Sequence, residues 1–218
     1  MSRRPVILIG GGEHARVVAD AIRSKLDSFD LIGFVDPNTD PTLASRLRAP
    51  RLGDDTALMR YPDALAVVAF GVSRPVSGRR EAVQRVGPII GGWATVVHRD
   101  ARVAPDAVIG EGTVVLEGAV VQVGAHIGAH CVINAMVGLG HDVAIGDNVL
   151  VSPGVVIGGG VSIGEGAFLG LGAIIRDHCT VGTEAFVGMG SVVVSNVASG
   201  ARVLPRVALP TRSEWKSS

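Results

Sequence analysis

The sequence predicts an α/β half-Rossmann unit followed by an all-β parallel β-helix, and three observations predict it. Over the first ninety residues short aliphatic runs alternate with helical patterns, and the first turn is rich in glycine. From Val97 to Val193 every sixth residue is Val, Ile or Leu, at seventeen successive positions. The 218 residues include 30 glycines and are 47% hydrophobic but only 4% aromatic, a composition suited to tight turns around small aliphatic cores. The expected divisions are 1–92 for the front unit, 93–198 for the β-helix and 199–218 for a C-terminal capping tail.

In the front unit, Val6-Ile7-Leu8-Ile9 reads as the first strand, ended by Gly10-Gly11-Gly12. A helical pattern follows, with Val17, Val18, Ala21 and Ile22 on one face. Leu31 to Val35 is the second strand, closed by Asp36-Pro37-Asn38. A helix is expected from Asp54-Asp55-Thr56, a third strand over Ala64 to Phe70 before Gly71, and a further helix from Gly78 to Val86. This alternation specifies a parallel sheet with crossover helices. The first turn, Gly10-x-Gly12-x-x-Ala15, is the looser form of the dinucleotide fingerprint. Its glycines let the backbone approach a phosphate, which then sits at the positive end of the next helix. Asp36 is placed to accept hydrogen bonds from a ribose or a base. A complete dinucleotide domain uses two such halves, so one nucleotide fits this length better than two. The plain alternative is turn glycines and a strand-end aspartate with no ligand.

The six-residue period is that of a parallel β-helix in which three hexapeptides make one triangular coil. The residue after the aliphatic is glycine nine times, at corners where positive φ is tolerated. The slot four residues on is small or β-branched: Ala107, Thr113, Ala119, Ala125, Cys131, Val137, Val143, Val149. Each strand should pair with the one 18 residues away. Both cysteines, Cys131 and Cys179, occupy the small inward slot, where packing is their expected task. The repeat breaks at Ala198, and the tail with Leu204-Pro205 and Thr211-Arg212-Ser213-Glu214 is expected to cap the last coil.

Several function classes are excluded. Twenty Lys+Arg balance twenty Asp+Glu, so no basic surface for nucleic acid is expected. No run of eighteen apolar residues suggests a membrane span, and Met1-Ser2-Arg3-Arg4-Pro5 leads directly into a strand, so a cytoplasmic protein without membrane insertion is expected. Of six histidines, His141 stands out: it is in the third slot of its hexapeptide, at a corner, followed by Asp142. Gly159 stacks one coil above it, leaving space beside the imidazole. Imidazole is the side chain suited to proton transfer near neutral pH, and a carboxylate orients it. An exposed corner histidine beside an ordinary acid is the alternative. No metal is expected, because His126, His130 and His141 fall in different slots and His130 and His178 on different sides.

Taken together, the Gly10-Gly11-Gly12-Glu13-His14-Ala15-Arg16-Val17 turn, the strand end Phe34-Val35-Asp36, Ile133-Asn134 and Gly140-His141-Asp142-x-x-Ile145-Gly146-Asp147 resemble a known family. The chain resembles the NeuD/PglD-type sugar acetyltransferases, and within them those acting on GDP-perosamine. The resemblance implies a left-handed parallel β-helix assembled as a homotrimer, with acetyl-CoA as co-substrate in the groove between subunits. It implies acetylation of the C4 amine of a nucleotide-linked amino sugar, as in lipopolysaccharide O-antigen biosynthesis. His141 maps to the general base, Asp142 to its acidic neighbour and Asn134 to a catalytic-coil asparagine. The nucleotide side falls to Gly10, Gly12, Glu13, His14, Asp36 and Pro37. The coenzyme candidates, by position past His141, are Gly159, Gly160, Leu171, Gly172 and Arg176. Two departures stand out: Glu13 where relatives often have glycine, and Leu150 where some carry a second histidine. The latter leaves the thioester carbonyl to backbone amides. The rival readings are a sugar O-acetyltransferase, a UDP- or dTDP-amino-sugar N-acetyltransferase, a nicotinamide-dependent enzyme, and a non-enzymatic nucleotide-binding scaffold.

Overall fold

The structure, a computed structural model, describes residues 3–25, 28–70 and 77–205. Four parallel strands form the front sheet: β1 (Arg4–Ile9), β2 (Phe29–Val35), β3 (Arg51–Gly53) and β4 (Leu65–Val68), in the order β3-β2-β1-β4. The chain order reverses beside β1, so the crevice outside the carboxyl ends of β1 and β4 is the switch point where such sheets take ligands. Val6 to Ile9 and all of β4 are buried, which is why they read as unbroken aliphatic runs.

Helix α1 (Glu13–Ser24) buries Ala15, Val18, Ala19, Ala21 and Ile22. Val17, expected on that face, is 44% exposed. The helix α2 (Thr42–Leu47) and β3 were not expected: six residues with two buried leucines, and three half-buried ones, carry too little periodicity to read. The helix expected at Asp54 is a short 3-10 turn over Asp55–Arg60, capped by the Asp54 carboxylate, which accepts from the Thr56 N–H at 3.0 Å. The strand expected over Ala64 to Phe70 is β4, shorter at Leu65–Val68, and Gly71 lies outside the described residues. Helix α3 (Ser77–Val86) completes the unit.

The rest of the chain winds as a left-handed parallel β-helix. Two-residue strands recur every six residues and pair in parallel 18 residues apart, as Ile127 with Ile145 and Ile145 with Ile163. They form three faces. Face I has seven strands from Val96–Val97 to Arg202–Val203, face II six from Arg102–Val103 to Val192–Val193, and face III five from Val108–Ile109 to Thr180–Val181. The inward aliphatics and the small slots make one continuous core. Each fully buried Ile or Leu in it contributes roughly 1.5–3 kcal/mol before entropy. Cys131 and Cys179 are packed inside, and burial pushes the Cys131 thiol up to about 12.

The corner glycines act differently from expectation. Positive φ falls two residues later, at Gly112, Gly118, Gly124 and so on every sixth residue. Non-glycine residues fill that left-handed slot at His130, Met136, Asp142, Asn148, His178 and Glu184. Eight of the nine glycines after the aliphatic are required by close stacking instead, and at Gly188 the nearest atom would be 3.1 Å from a Cβ. A Cβ on Gly110 would lie 2.5 Å from the backbone carbon of Gly128, and one on Gly158 would lie 2.5 Å from the Asp177 nitrogen. At these two glycines the backbone of the neighbouring coil leaves no room for a methyl.

The coils do not stop at residue 198. After Val193 the phase skips two residues, and Val197 and Val203 pair with Val181 and Val187, closing a shortened turn. Residues 206–218 lie outside the described residues, so no capping is assigned to them.

The outward side of face I is covered by the front unit: Val96, Val114 and Leu116 share a core with Val18, Ile22, Val6 and Leu8. Arg80 of α3 pairs with Glu165 at 2.9 Å and Glu184 at 3.3 Å, and Trp93 meets the His130 ring edge-on at 4.8 Å. Among the described residues the front unit's core takes in no strand residue of faces II and III. Among the described residues no helix is long and apolar enough to cross a membrane.

Candidate active site

The front-unit candidates converge. Gly10, Gly12, Glu13 and His14 follow β1, and Asp36 and Pro37 follow β2, so all six meet at the carboxyl ends of adjacent strands. Gly10 has φ +103° and Phe70 lies against it; a Cβ would stand 3.0 Å from that ring. Gly12 opens α1 with no side-chain cap and open space about it; the Ala15 N–H donates to the Gly12 carbonyl at 3.1 Å, so among the described residues the Glu13 and His14 N–H groups are left for an acceptor. Asp36 is more than a ligand candidate. Its Oδ2 accepts from the Gly11 N–H at 2.6 Å and its Oδ1 from the Asn38 N–H at 2.8 Å. Arg51 donates to the Asp36 carbonyl from Nε and Nη2 at 2.9 and 2.7 Å. Asp36 therefore fixes the glycine turn as well as facing the crevice.

On the β-helix, His141 and Asp142 occupy the edge between faces II and III. His141 is 56% exposed, and its Nδ1 is 2.9 Å from Asp142 Oδ2. Asp142 reaches this position because it takes the left-handed corner, φ +56°. A carboxylate accepting from Nδ1–H leaves Nε2 as the free base. The ring lies against Gly159, as the eighteen-residue stacking predicts: a Cβ there would touch Nε2 and lie 2.7 Å from Cε1. Gly158-Gly159-Gly160 thus forms a bare step above the imidazole. Gly160 and exposed Arg176 lie along the same edge.

Asn134, Leu171 and Gly172 do not join them within one chain. They lie on the opposite edge of face II, between faces I and II, with the Asn134 Oδ1 accepting from the Ala135 N–H at 2.9 Å. Leu150 sits on face I, 5% exposed. An open groove of about 500 Å³ follows face III past His126, Ala144, Ser162 and Thr180, toward the edge away from His141. Among the described residues no three His, Cys, Asp or Glu side chains gather to hold a metal.

Two arginines escaped the sequence reading. Arg51 clamps the end of β2. Arg79 is 2% exposed and donates Nη1 to the carbonyls of Val68 and Phe70 at 3.2 and 2.9 Å, fixing the end of β4 beside the glycine turn. Burial first, and then the Arg79 charge, lower His14 to about 4, so its imidazole is neutral at physiological pH. The helical spacing of Arg79, Ala82 and Val86, all buried, could have flagged an arginine standing on an apolar stripe.

Residues 5–85 match the PglD N-terminal domain, and residues 124–159 match the bacterial transferase hexapeptide of six repeats. No curated protein matches the sequence. Among solved structures, the acetyltransferase domain of PglB from Neisseria gonorrhoeae FA1090 is 29% identical, with TM-score 0.83, covering 96% of this chain and 100% of that one; it has been solved with acetyl coenzyme A. PerB from Caulobacter crescentus, in complex with CoA and GDP-perosamine, is 30% identical, with TM-score 0.80, covering 92% of this chain and 94% of that one. WeeI from Acinetobacter baumannii AYE shares the fold at 21% identity and TM-score 0.80, covering 93% and 97%. With both halves matched and the whole architecture shared, the chain belongs to the NeuD/PglD-type hexapeptide-repeat sugar acetyltransferases.

Proposed function

We propose that the protein transfers the acetyl group of acetyl-CoA to the C4 amine of a nucleotide-linked amino sugar, GDP-perosamine in the first instance. The observation that carries this reading is the His141–Asp142 pair beside the bare Gly158-Gly159-Gly160 step. PerB, solved with CoA and GDP-perosamine, supports the choice of both substrates.

Acetyl-CoA supplies an activated thioester, and the exposed His141 ring is accessible to it from the edge between faces II and III. Asp142 holds the Nδ1–H tautomer, so His141 Nε2 accepts a proton from the attacking amine. The new N–C bond forms as the C–S bond breaks, and the proton passes from Nε2 to the departing sulfur. Among the described residues no serine or cysteine hydrogen-bonds to His141, and the proposed attack by the amine is direct. Gly159, Gly160 and Arg176 flank the donor. The α1 N-terminus with Gly10, Gly12, Glu13 and His14 receives the nucleotide side of the acceptor, with Asp36 and Pro37 at its rim. A cytoplasmic setting belongs to the same reading.

The assembly is a homotrimer in which copies complete one another's sites. Face II presents an apolar stripe of Val120, Val156, Ile174 and Val192, exposed by 39%, 51%, 46% and 61%. The edge between faces I and II presents a matching apolar ridge of Met136, Leu171 and Met189, exposed by 69%, 56% and 66%. Seating the ridge of one copy on the stripe of the next buries both. It also brings Asn134, Leu171 and Gly172 of one copy toward the His141 edge of the next.

The test is acetyl transfer by the full chain to a panel of GDP-, UDP- and dTDP-linked 4-amino sugars and the corresponding 4-hydroxy sugars. Thiol release and product mass are read together. N-acetylation of the GDP-linked amine in preference to the others supports the proposal. Transfer only to hydroxyls, or no acetyl-CoA binding by calorimetry, overturns it.

A further inference from the structure

We propose that His178 is a second imidazole of the acetyl-transfer site, standing across the Gly159–Gly160 step from His141 and donating its ring N–H to the carbonyl oxygen of the thioester. This rests on the proposed acetyl transfer.

The two histidines are rungs of one ladder. The Gly160 N–H donates to the His141 carbonyl at 2.8 Å, and the His178 N–H donates to the Gly159 carbonyl at 2.9 Å. Their rings fill the places that the two glycines leave. A Cβ on Gly159 would touch the His141 ring, and a Cβ on Gly160 would lie 2.5 Å from His178 Nδ1 and 2.9 Å from its Cε1. The two imidazoles therefore lie on the same two-glycine step, one on each glycine.

Stability does not account for His178. It occupies the left-handed corner, φ +55°, where glycine is unstrained, and its side chain is exposed. Three other side chains in that slot make contacts that explain them: His130 packs on Trp93, Asp142 holds His141, and Glu184 pairs with Arg80. Leu150, buried on face I, offers the carbonyl no donor. As the amine attacks, negative charge gathers on the carbonyl oxygen, and a donor fixed beside it lowers the barrier.

The test reads the carbonyl stretch of isotope-labelled acetyl-CoA bound to the full chain, together with steady-state kinetics. Wild type should lower that stretch. His178→Gly, which relieves the left-handed corner and so keeps the fold, should abolish the shift and cut kcat at least about tenfold, with the acetyl-CoA KM little changed. His178→Gln, which keeps an N–H donor, should restore part of both. An unchanged stretch and kcat in His178→Gly overturn the role of His178 while leaving acetyl transfer intact. A rise in KM alone also overturns it, since that marks a grip on the coenzyme. Absence of acetyl-CoA binding by wild type overturns both proposals.

Discussion

The three glycines above His141 meet three different physical limits, and replacing each by alanine separates chemistry from folding. At Gly159 the added Cβ would lie 2.7 Å from Cε1 and 2.9 Å from Cδ2 of His141, the free end of an exposed side chain. Carbon atoms settle at about 3.5–4.0 Å, so the ring must retreat by roughly 0.7 Å or more. The Nδ1–Asp142 bond, now 2.9 Å, then stretches beyond hydrogen-bonding range. Gly159 is not among the positive-φ residues, so alanine fits its backbone. Its melting temperature should stay within about 2 °C of wild type while kcat falls between about tenfold and 100-fold. At Gly158 the Cβ would lie 2.5 Å from the Asp177 backbone nitrogen, which cannot retreat. That overpacking costs about 1–3 kcal/mol and should lower the melting temperature by about 2–12 °C. At Gly160, φ +64°, alanine meets left-handed strain of about 1–2 kcal/mol, partly offset by a stiffer unfolded chain, and its Cβ would also lie 2.5 Å from His178 Nδ1. The assays are thermal unfolding and steady-state acetyl transfer. A Gly159→Ala enzyme with wild-type kcat would refute the reasoning. So would an equal loss of kcat when Gly159→Ala is placed in a His141→Asn background, because the clash would then act on something other than the imidazole.

Other expected outcomes follow from the same geometry. His141→Asn should slow transfer by about 100-fold or more without silencing it, and unchanged activity across pH would remove His141 from the mechanism. Asp36→Ala, which also frees the Gly11 N–H, should raise the KM for the sugar nucleotide and leave that for acetyl-CoA nearly alone; equal effects on both would argue against a division between front unit and β-helix. Ile145→Asp puts a carboxylate into a site 4% exposed and should abolish cooperative unfolding, as read by circular dichroism. His14 binds its proton more weakly folded, at about 4, than unfolded, near 6.5. Its contribution is complete above pH 6.5 and is lost as pH falls toward 4, by at most about 3 kcal/mol. Denaturant titrations of wild type and His14→Gln over that window should differ in slope; identical slopes would contradict the burial of a neutral imidazole.

Much of this was legible because the six-residue period is a geometric rule. Seventeen aliphatics in phase identify the inward positions, and the stacking of Gly159 on His141 follows from eighteen-residue coils. The same arithmetic, carried further, separates Leu171 and Gly172 from Arg176: 171 stacks two coils and one residue beyond Asn134, not above His141. The strands β1 and β4 were visible because a doubly covered sheet needs continuous aliphatic runs. What could not be read depends on packing between distant segments. Nothing local tells a glycine needed for left-handed φ, such as Gly112, from one needed for coil contact, such as Gly110. The ties of Asp36 to Gly11 and of Arg79 to the end of β4 exist only once the strands lie side by side. Only the buried stripe of α3 hinted at the second.

The account turns on where the acetyl group changes hands, and a crystal structure with CoA and GDP-perosamine bound together reads this directly. The coenzyme sulfur and the C4 amine should lie against the Gly159 step, with the amine within hydrogen-bond reach of His141 Nε2, at about 3 Å or through one water. A sulfur seated in the face III groove or at any other distance from residue 141 that bars proton transfer would contradict it.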